Sequence, residues 1–499
     1  MTTSLHPAEP APSGPPTDPG DSPVATSLIG GVIGDLDHPR PVLNPATGRP
    51  CGRLSHPEGH RAEQQARQAA DWAAAALPAW ADSSPRSRSD LLLGAVEALR
   101  DDEAELAGLL ATEAGKRLPE AVAEVRFAAE YLRWFAEEIR RPRGEFFSSE
   151  DPARRQFSLR RPLGVVATLT PWNFPVSIQA RKIAPALAAG CTVVARVSEK
   201  APLAVTRWLQ TLHRGGLPDG ALNLVHGDAR VITSAWLDHP AVRGVSFTGS
   251  TAVGSAIMAQ AARRIVRPML ELGGNAPFIV HRDADLEVAL AQAELGKLRN
   301  TGQSCVGVNR FLVHAAVAEE FGARLAARFD RLTLGDPTAD PVPDLGPVID
   351  QDRVDAVGAL VEEALAAGAR RLTAQRDLPA EGFWIAPTLL ADVPAHCRLA
   401  GEEVFGPAAG IFPFDTDDEA LALANATEMG LAAYVFTTDP GRAFRFAERL
   451  EAGIVGINDA LPSVAFTPMG GIKQSGLGRE GGREGLHEFQ ETTYLAWRP

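Results

Sequence analysis

Cysteine is scarce: the 499 residues hold four, Cys51, Cys191, Cys305 and Cys397. They lie far apart, with no CxxC pair and no Cys/His cluster at zinc spacing, so neither a disulfide framework nor a structural metal is expected. A reducing cytosol, hence a cytoplasmic location, fits that usage. Basic charge is also short, with 49 Lys and Arg against 62 Asp and Glu and a formal net charge of −13. That balance disfavours nucleic acid and an anionic membrane surface as partners. No Lys or Arg precedes Arg40, so the basic region of a secretory signal and the arginines of a transit peptide are missing. The long uncharged run from Pro162 to Ala180 approaches membrane-spanning length. Pro171, Asn173, Pro175 and Gln179 interrupt it, and it reads as a buried strand and turn. No repeat of 20 to 50 residues is evident, which excludes solenoids and propellers.

What remains is a globular composition, 45% hydrophobic and 22% charged. The length predicts two to four domains at ~150 residues each. Residues 1–27 carry seven prolines among Ser, Gly and Asp, a mixture too poor in apolar groups to offset chain entropy, and read as a disordered tail. From Glu63 to Ile139 the periodicity is helical: Val125, Ala129, Leu132, Ala136 and Ile139 mark one face, and two or three long helices are expected. From Leu163 short β-rich runs begin at 163, 192, 222 and 244 and alternate with helical stretches, the pattern of a parallel sheet covered by helices. The alternation restarts after Gly274 with strands at 277 and 310 and helices near 284–299 and 316–331, a second α/β domain. Arg154 to Pro162 and the residues after Phe489 alternate polar and apolar side chains like exposed edge strands, which usually find a partner.

Four short segments carry chemistry. Cys305, in Asn-Thr-Gly-Gln-Ser-Cys-Val-Gly, follows a helical pattern and sits among small residues that would present a thiol at a turn. A lone cysteine is more often a buried small hydrophobe, so its context must carry the reading. Glu271 closes an apolar run and opens Glu-Leu-Gly-Gly-Asn, a carboxylate with room to move; an ion-pair carboxylate is the bland alternative. Asn173, in Thr-Pro-Trp-Asn-Phe-Pro, is fixed between prolines as an amide donor to an oxyanion would need to be, although a plain turn asparagine would look alike. In Phe-Thr-Gly-Ser-Thr-Ala-Val-Gly, a strand passes through Gly249 and Ser250 into a helix containing Gly254, a place for anionic phosphate. The spacing is not GxGxxG, and alone the motif is weak.

Together and in this order, with Glu-Glu-Val-Phe-Gly-Pro at 402–407 and Pro-Met-Gly-Gly-Ile-Lys-Gln-Ser-Gly-Leu-Gly-Arg-Glu at 468–480, the motifs resemble those of the NAD(P)-dependent aldehyde dehydrogenase superfamily over nearly the whole chain. Glu271 and Cys305 are 34 residues apart, the separation that family shows. The resemblance implies an α/β, aldehyde dehydrogenase-like fold: two Rossmann-type parallel-sheet domains plus a small β oligomerisation element. The cofactor-binding domain would span 28–150 and 163–273, the catalytic domain 274–470, and the oligomerisation element 151–162 and 485–499. It implies Cys305 as nucleophile, Asn173 and the Cys305 N–H as oxyanion donors, and Glu271 as general base for thioester hydrolysis. Trp172, Arg196, Glu199, Gly249, Ser250, Gly254, Glu403 and Phe405 would bind the cofactor. That cofactor is expected to be NAD, with NADP possible, because Glu199 would accept hydrogen bonds from the ribose and repel a 2′-phosphate. No metal is expected, and a homodimer or homotetramer is.

Within the superfamily the motifs are most similar to succinate-semialdehyde dehydrogenases, which implies Arg181, Arg299 and Ser463 as ligands of a substrate carboxylate. Gly307 stands where many members carry a second cysteine, so disulfide inactivation by that route is not expected. Three departures stand out: Arg196-Val197 in place of Lys-Pro, Met469 in place of an aromatic residue, and Asp-Ala-Leu-Pro at 459–462. The competing readings are oxidation of another aldehyde, carboxylated or uncharged, a catalytically silent binding protein, and a thiol hydrolase. The last would need a histidine base, and His226 is the single candidate in a motif.

Overall fold

The computed structural model describes residues 22–141 and 144–499. Most of the expected amino-terminal tail therefore lies outside the described residues. Its predicted end at residue 27 is corrected: Val24–Ala25 pairs with Arg49–Ser55, and Ala25 is buried against Val42, Leu54 and Leu203. Three apolar neighbours suffice to order a segment that composition alone assigns to the tail.

The first sheet has five parallel strands in the spatial order Arg267–Glu271, Val242–Thr248, Val165–Thr170, Thr192–Val197 and Leu222–Leu224. Antiparallel edges close it, Gly476–Leu477 on one side and Leu28–Ile29 followed by Val32–Ile33 on the other. Val165–Thr170 is buried at every residue, as a central parallel strand covered on both faces must be. Sequence order reverses between Val165–Thr170 and Val242–Thr248, and open α/β sheets bind ligands at the carboxyl ends beside such a reversal. The second sheet has six parallel strands, Thr388–Ala391, Ala408–Phe414, Val308–His314, Ala276–Val280, Ala432–Phe436 and Ile454–Ile457, with Arg370–Arg371 antiparallel at one edge. A third, antiparallel sheet pairs Gln490–Trp497 along the full length of Arg155–Pro162 and adds Phe146–Phe147. That last pairing moves the edge element upstream of residue 151, because the exposed Phe146 ring stacks on Phe157.

The region from 59 to 138 forms four helices, Gly59–Asp82, Pro85–Asp101, Glu103–Ala114 and Leu118–Glu138, where two or three long ones are expected. Ser84 caps the second through Ser87 N–H and Pro85 occupies its first turn, a start signal that apolar periodicity does not carry. The uncharged run from Pro162 is a strand followed by a helix, not a turn: Pro175 starts Pro175–Ala189. All 15 residues of this helix are buried, so its polar groups need internal partners. Gln179 donates to Thr168 Oγ1 (2.8 Å), and Lys182 donates to Ser246 Oγ (3.1 Å) and pairs with Glu480. No helix among the described residues is long and apolar enough to cross a membrane.

Buried carboxylates fasten the helical layer to the first sheet's helices. Glu113, fully buried, accepts the Leu203 and Ala204 N–H groups (2.6 and 2.7 Å) at the start of Leu203–Arg214. Burial pushes its pKa up to about 8 against the opposing pull of those two donors. Because the folded state holds this proton more tightly than the unfolded chain does, the stabilisation is complete below about pH 4.5 and is lost as pH rises towards 8. Glu113→Gln should flatten that slope by a few kcal/mol, since each tenfold change in proton affinity is worth about 1.4 kcal/mol. Urea unfolding of both proteins between pH 5 and pH 8 measures it; an unchanged slope would refute the role of Glu113.

Candidate active site

The first sheet offers its carboxyl edge and the second its amino edge to one seam. On the first side, Val165–Thr170 delivers Trp172 and Asn173, Val242–Thr248 delivers Gly249 and Ser250, and Arg267–Glu271 ends in Glu271. On the other, Gly274, Cys305 and Glu403 to Phe405 precede Ala276–Val280, Val308–His314 and Ala408–Phe414. Glycine is required where the edges touch, since a Cβ on Gly274 would lie 2.5 Å from the Cys305 carbonyl oxygen.

The thiol is presented by a braced loop. After the helix Leu286–Leu298, Asn300 and Thr301 take left-handed conformations (φ +53° and +54°), which cost a non-glycine residue unless its surroundings impose them. Here they do. Asn300 Nδ2 donates to the Asn173 and Gln303 carbonyls (2.9 and 3.2 Å), Thr301 Oγ1 to Gly346 O (3.1 Å), and Gln303 Nε2 to Asn300 O (3.0 Å). Gln303 also accepts the Ile349 N–H (2.9 Å). Cys305 is enclosed by protein yet still partly accessible. Asn173 reaches the same loop, its Nδ2 donating to Gln303 O at 3.1 Å.

Glu271 is buried with neither carboxylate oxygen at ordinary hydrogen-bond geometry to a partner among the described residues. The Cys305 thiol lies near enough for the two groups to shift each other. Burial raises the Glu271 pKa and the Glu480 charge adds to it, while Arg181 and Lys182 oppose. Burial also raises the Cys305 thiol well above its ordinary value, the Glu271 charge adds to it, and Arg181 opposes. An unpartnered buried carboxylate beside a thiol is expensive, and such groups concentrate at reaction sites.

The expected cofactor residues lie at or just past the carboxyl ends of the first sheet's strands, or in the loop before Ala408–Phe414. Trp172 and Phe405 meet edge to face, with centroids 5.5 Å apart. Glu403 accepts the Gly274 N–H (3.1 Å), and burial pushes its pKa up to about 7. Ser250 caps the helix Thr251–Ala262 through Val253 N–H, and Gly254 on its first turn packs on Leu272. Arg196 pairs with Glu199, while Lys200 turns to Asp350. Burial resists the Glu199 charge, but Arg196 holds its pKa below the usual range.

The three expected carboxylate ligands differ in what they have free. Arg181 is buried, reaches towards Glu480 (3.9 Å) and Met469 Sδ, and lies 5.6 Å from the Tyr131 ring centroid. Arg299 stands over the Phe174 ring (4.8 Å) and has no ion pair within 4.0 Å among the described residues. Burial lowers its pKa, Glu120 opposes this, and the Arg181 charge lowers it further. Ser463 is half-buried in the loop after Ile454–Ile457 and makes no hydrogen bond to either arginine. Sequence reasoning assigned no role to Lys182, Glu480, Lys116 or Glu124. Glu480 ends the quoted segment 468–480 and Lys182 adjoins Arg181, but their pairing across 298 positions has no local signal.

A profile described as the aldehyde dehydrogenase family matches residues 34–495. The chain is 42% identical to a succinate-semialdehyde dehydrogenase of Paenarthrobacter nicotinovorans over 433 residues, 87% of this chain and 96% of that protein. It is also 42% identical to a glutarate-semialdehyde dehydrogenase of Pseudomonas putida, over 91% of this chain and 93% of that protein. The crystal structure of succinate-semialdehyde dehydrogenase from Burkholderia pseudomallei superposes with a TM-score of 0.93 at 40% identity, covering 97% of this chain and 100% of that one.

The opposition of Glu271 and Cys305 has a direct readout. Glu271→Gln removes the neighbouring negative charge, so the Cys305 thiol should ionise at lower pH. The midpoint of the pH profile for iodoacetamide alkylation should fall in the variant. An unmoved or raised midpoint would mean the two groups do not sense each other.

Proposed function

The chain belongs to the aldehyde dehydrogenase family, and from that premise we propose that it oxidises a short aldehyde carrying a carboxylate, succinic semialdehyde first, through a covalent intermediate on Cys305. Oxidation of an aldehyde with NAD(P) is its chemistry; the choice of aldehyde and the residue roles are the proposal. The observation that carries the substrate class is Arg299, a guanidinium beside the nucleophile loop with no protein anion paired to it among the described residues. A planar fork of this kind suits a carboxylate bidentately. Arg181, partly engaged by Glu480, adds positive potential next to it.

The seam suits a dinucleotide. It lies at the sheet's order reversal, the helix amino terminus at Ser250 would favour an anionic phosphate, and Glu403 has one carboxylate oxygen bound to Gly274 N–H and another to offer a ribose. Trp172 and Phe405 supply apolar walls. In the proposed sequence Glu271 takes the Cys305 proton, a transfer suited to a carboxylate with raised proton affinity, and the sulfur attacks the aldehyde carbon. Asn173 Nδ2 carries two hydrogens. One is held by Gln303 O, and the other, with the Cys305 backbone N–H, stabilises the oxyanion of the thiohemiacetal. Bound NAD(P) supplies the hydride acceptor. After Glu271 has released the Cys305 proton to solvent, its carboxylate deprotonates the water that attacks the thioester carbonyl; the C–S bond breaks, the carboxylic acid leaves, and the Cys305 sulfur departs as thiolate. The exposed Phe146, Phe147, Tyr494 and Trp497 on the third sheet support self-association through that element.

Arg299→Ala should weaken kcat/KM for succinic semialdehyde by ~2–5 kcal/mol in transition-state terms, while an uncharged aldehyde of equal length loses little. Equal losses for both would refute carboxylate recognition, and glutaric semialdehyde in the same series separates chain length from charge. For the cofactor, NAD should be favoured over NADP by the Glu199 charge. Its pairing with Arg196 and its half-exposed position reduce the repulsion of a 2′-phosphate. Glu199→Gln should raise kcat/KM for NADP, and an unchanged NAD to NADP ratio would remove Glu199 from the choice.

A further inference from the structure

Against the backbone of Asn173 sits a buried ion pair that the chemistry above does not use. Lys116 lies just past the helix Glu103–Ala114, and Glu124 lies on Leu118–Glu138. Their side chains are 0% and 1% exposed and pair directly. A buried pair of this kind is weak evidence for stability, since apolar residues of similar volume often do as well, so its placement has to be explained by something else. The ammonium has three donors. One meets Glu124, one the Asn173 backbone oxygen (3.0 Å), and the charge also lies 4.0 Å from the centroid of the Phe174 ring. The second Glu124 oxygen accepts the Val176 and Ser177 N–H groups (3.0 and 3.2 Å), the first turn of Pro175–Ala189. Every polar contact of the pair thus falls on residues 173–177.

The grip is completed from the opposite sheet. Asn300 Nδ2 donates to the same Asn173 oxygen (2.9 Å), and the Asn300 N–H is held by Glu120 Oε1 (3.1 Å), one helical turn before Glu124. The peptide that carries the Asn173 side chain is therefore clamped by a cation from the helical layer and an amide from the nucleophile loop. We propose that Lys116 and Glu124 are positioning residues that fix Asn173 at the distance from Cys305 where its amide can receive the oxyanion. The inference rests on the reading of Asn173 as oxyanion donor. Misplacing a positioned group by ~1 Å can cost ~100-fold in rate.

The test uses the full-length enzyme and reads the first-turnover burst of reduced cofactor with succinic semialdehyde, the cofactor Kd and Tm. Asn173→Ala should slow the burst by ~10²–10³-fold, as loss of an oxyanion donor does. Lys116→Met should slow it by ~10–100-fold with an unchanged cofactor Kd. Lys116→Met with Asn173→Ala should be no slower than Asn173→Ala alone, because the lysine acts only through that asparagine. Lys116→Met leaves Glu124 without its cation, so Lys116→Met/Glu124→Gln removes both charges while keeping an acceptor for Val176 and Ser177 and should show the same slow burst. Lys116→Arg keeps the charge, relocates the donor, and should fall between wild type and Lys116→Met at a wild-type Tm. A full-speed burst in Asn173→Ala would overturn the oxyanion reading and this inference with it. A slow Asn173→Ala beside a fast, folded Lys116→Met/Glu124→Gln, or losses that multiply in the combined variant, would overturn the positioning role alone.

Discussion

Two parallel sheets meet with opposite ends, carboxyl edge against amino edge, and the backbone oxygen of Asn173 is the point where both hold the same atom. Lys116 reaches it from the helical layer and Asn300 from the loop that carries Cys305. A carbonyl oxygen has two lone pairs, and here both are used. The consequence is geometric: the Asn173 amide and the Cys305 loop cannot drift apart without breaking buried hydrogen bonds, each costly to leave unmade. The left-handed Asn300 and Thr301 belong to the same constraint, since their strain is sustained by the contacts their side chains make.

Charge is distributed around that seam unevenly. The pairs Lys116 with Glu124 and Lys182 with Glu480 are compensated and hold backbone or helices in place. Among the described residues Glu271 has no hydrogen-bonded partner and Arg299 no ion pair within 4.0 Å, although Arg181 and Lys182 act on the first and Glu120 on the second from farther off. Groups without a direct partner are costly to a folded protein, and they are the ones a substrate or proton transfer would complete. The cost is met by extensive apolar burial elsewhere, above all around the wholly buried helix Pro175–Ala189.

The strands and their order along the chain were legible because buried parallel strands appear as short β-branched runs between helical stretches; the runs at 163, 192, 244 and 277 fall on strands of the two large sheets. Boundaries were less so. Four helices replace two or three because Ser84-Pro85 is a start signal inside one apolar pattern. On Leu118–Glu138 the buried face takes in Ala128 in preference to Ala129, and with it Glu124 and Glu138. Periodicity assigns carboxylates to the solvent face, and only partners distant in sequence can reverse that. The same limit hid Phe146–Phe147, two residues too short to show a strand pattern.

By itself the sequence determined the reaction class, because its motifs bring residue types with one shared chemistry in a family's order: a thiol, a carboxylate, a rigid amide and a helix terminus for phosphate. It also determined the two sheets, since hydrophobic alternation is a local property of the chain. The tertiary structure alone decided which charges are paired. Arg181 and Arg299 look equivalent as residues of two helical segments, yet one faces Glu480, 299 positions away, and the other faces Phe174 beside the Cys305 loop. Lys116 follows a glycine with no local signal of its place, and it is buried against the Asn173 backbone. Electrostatic interactions act through space and depend on burial, and neither distance nor burial between remote residues is written in local order.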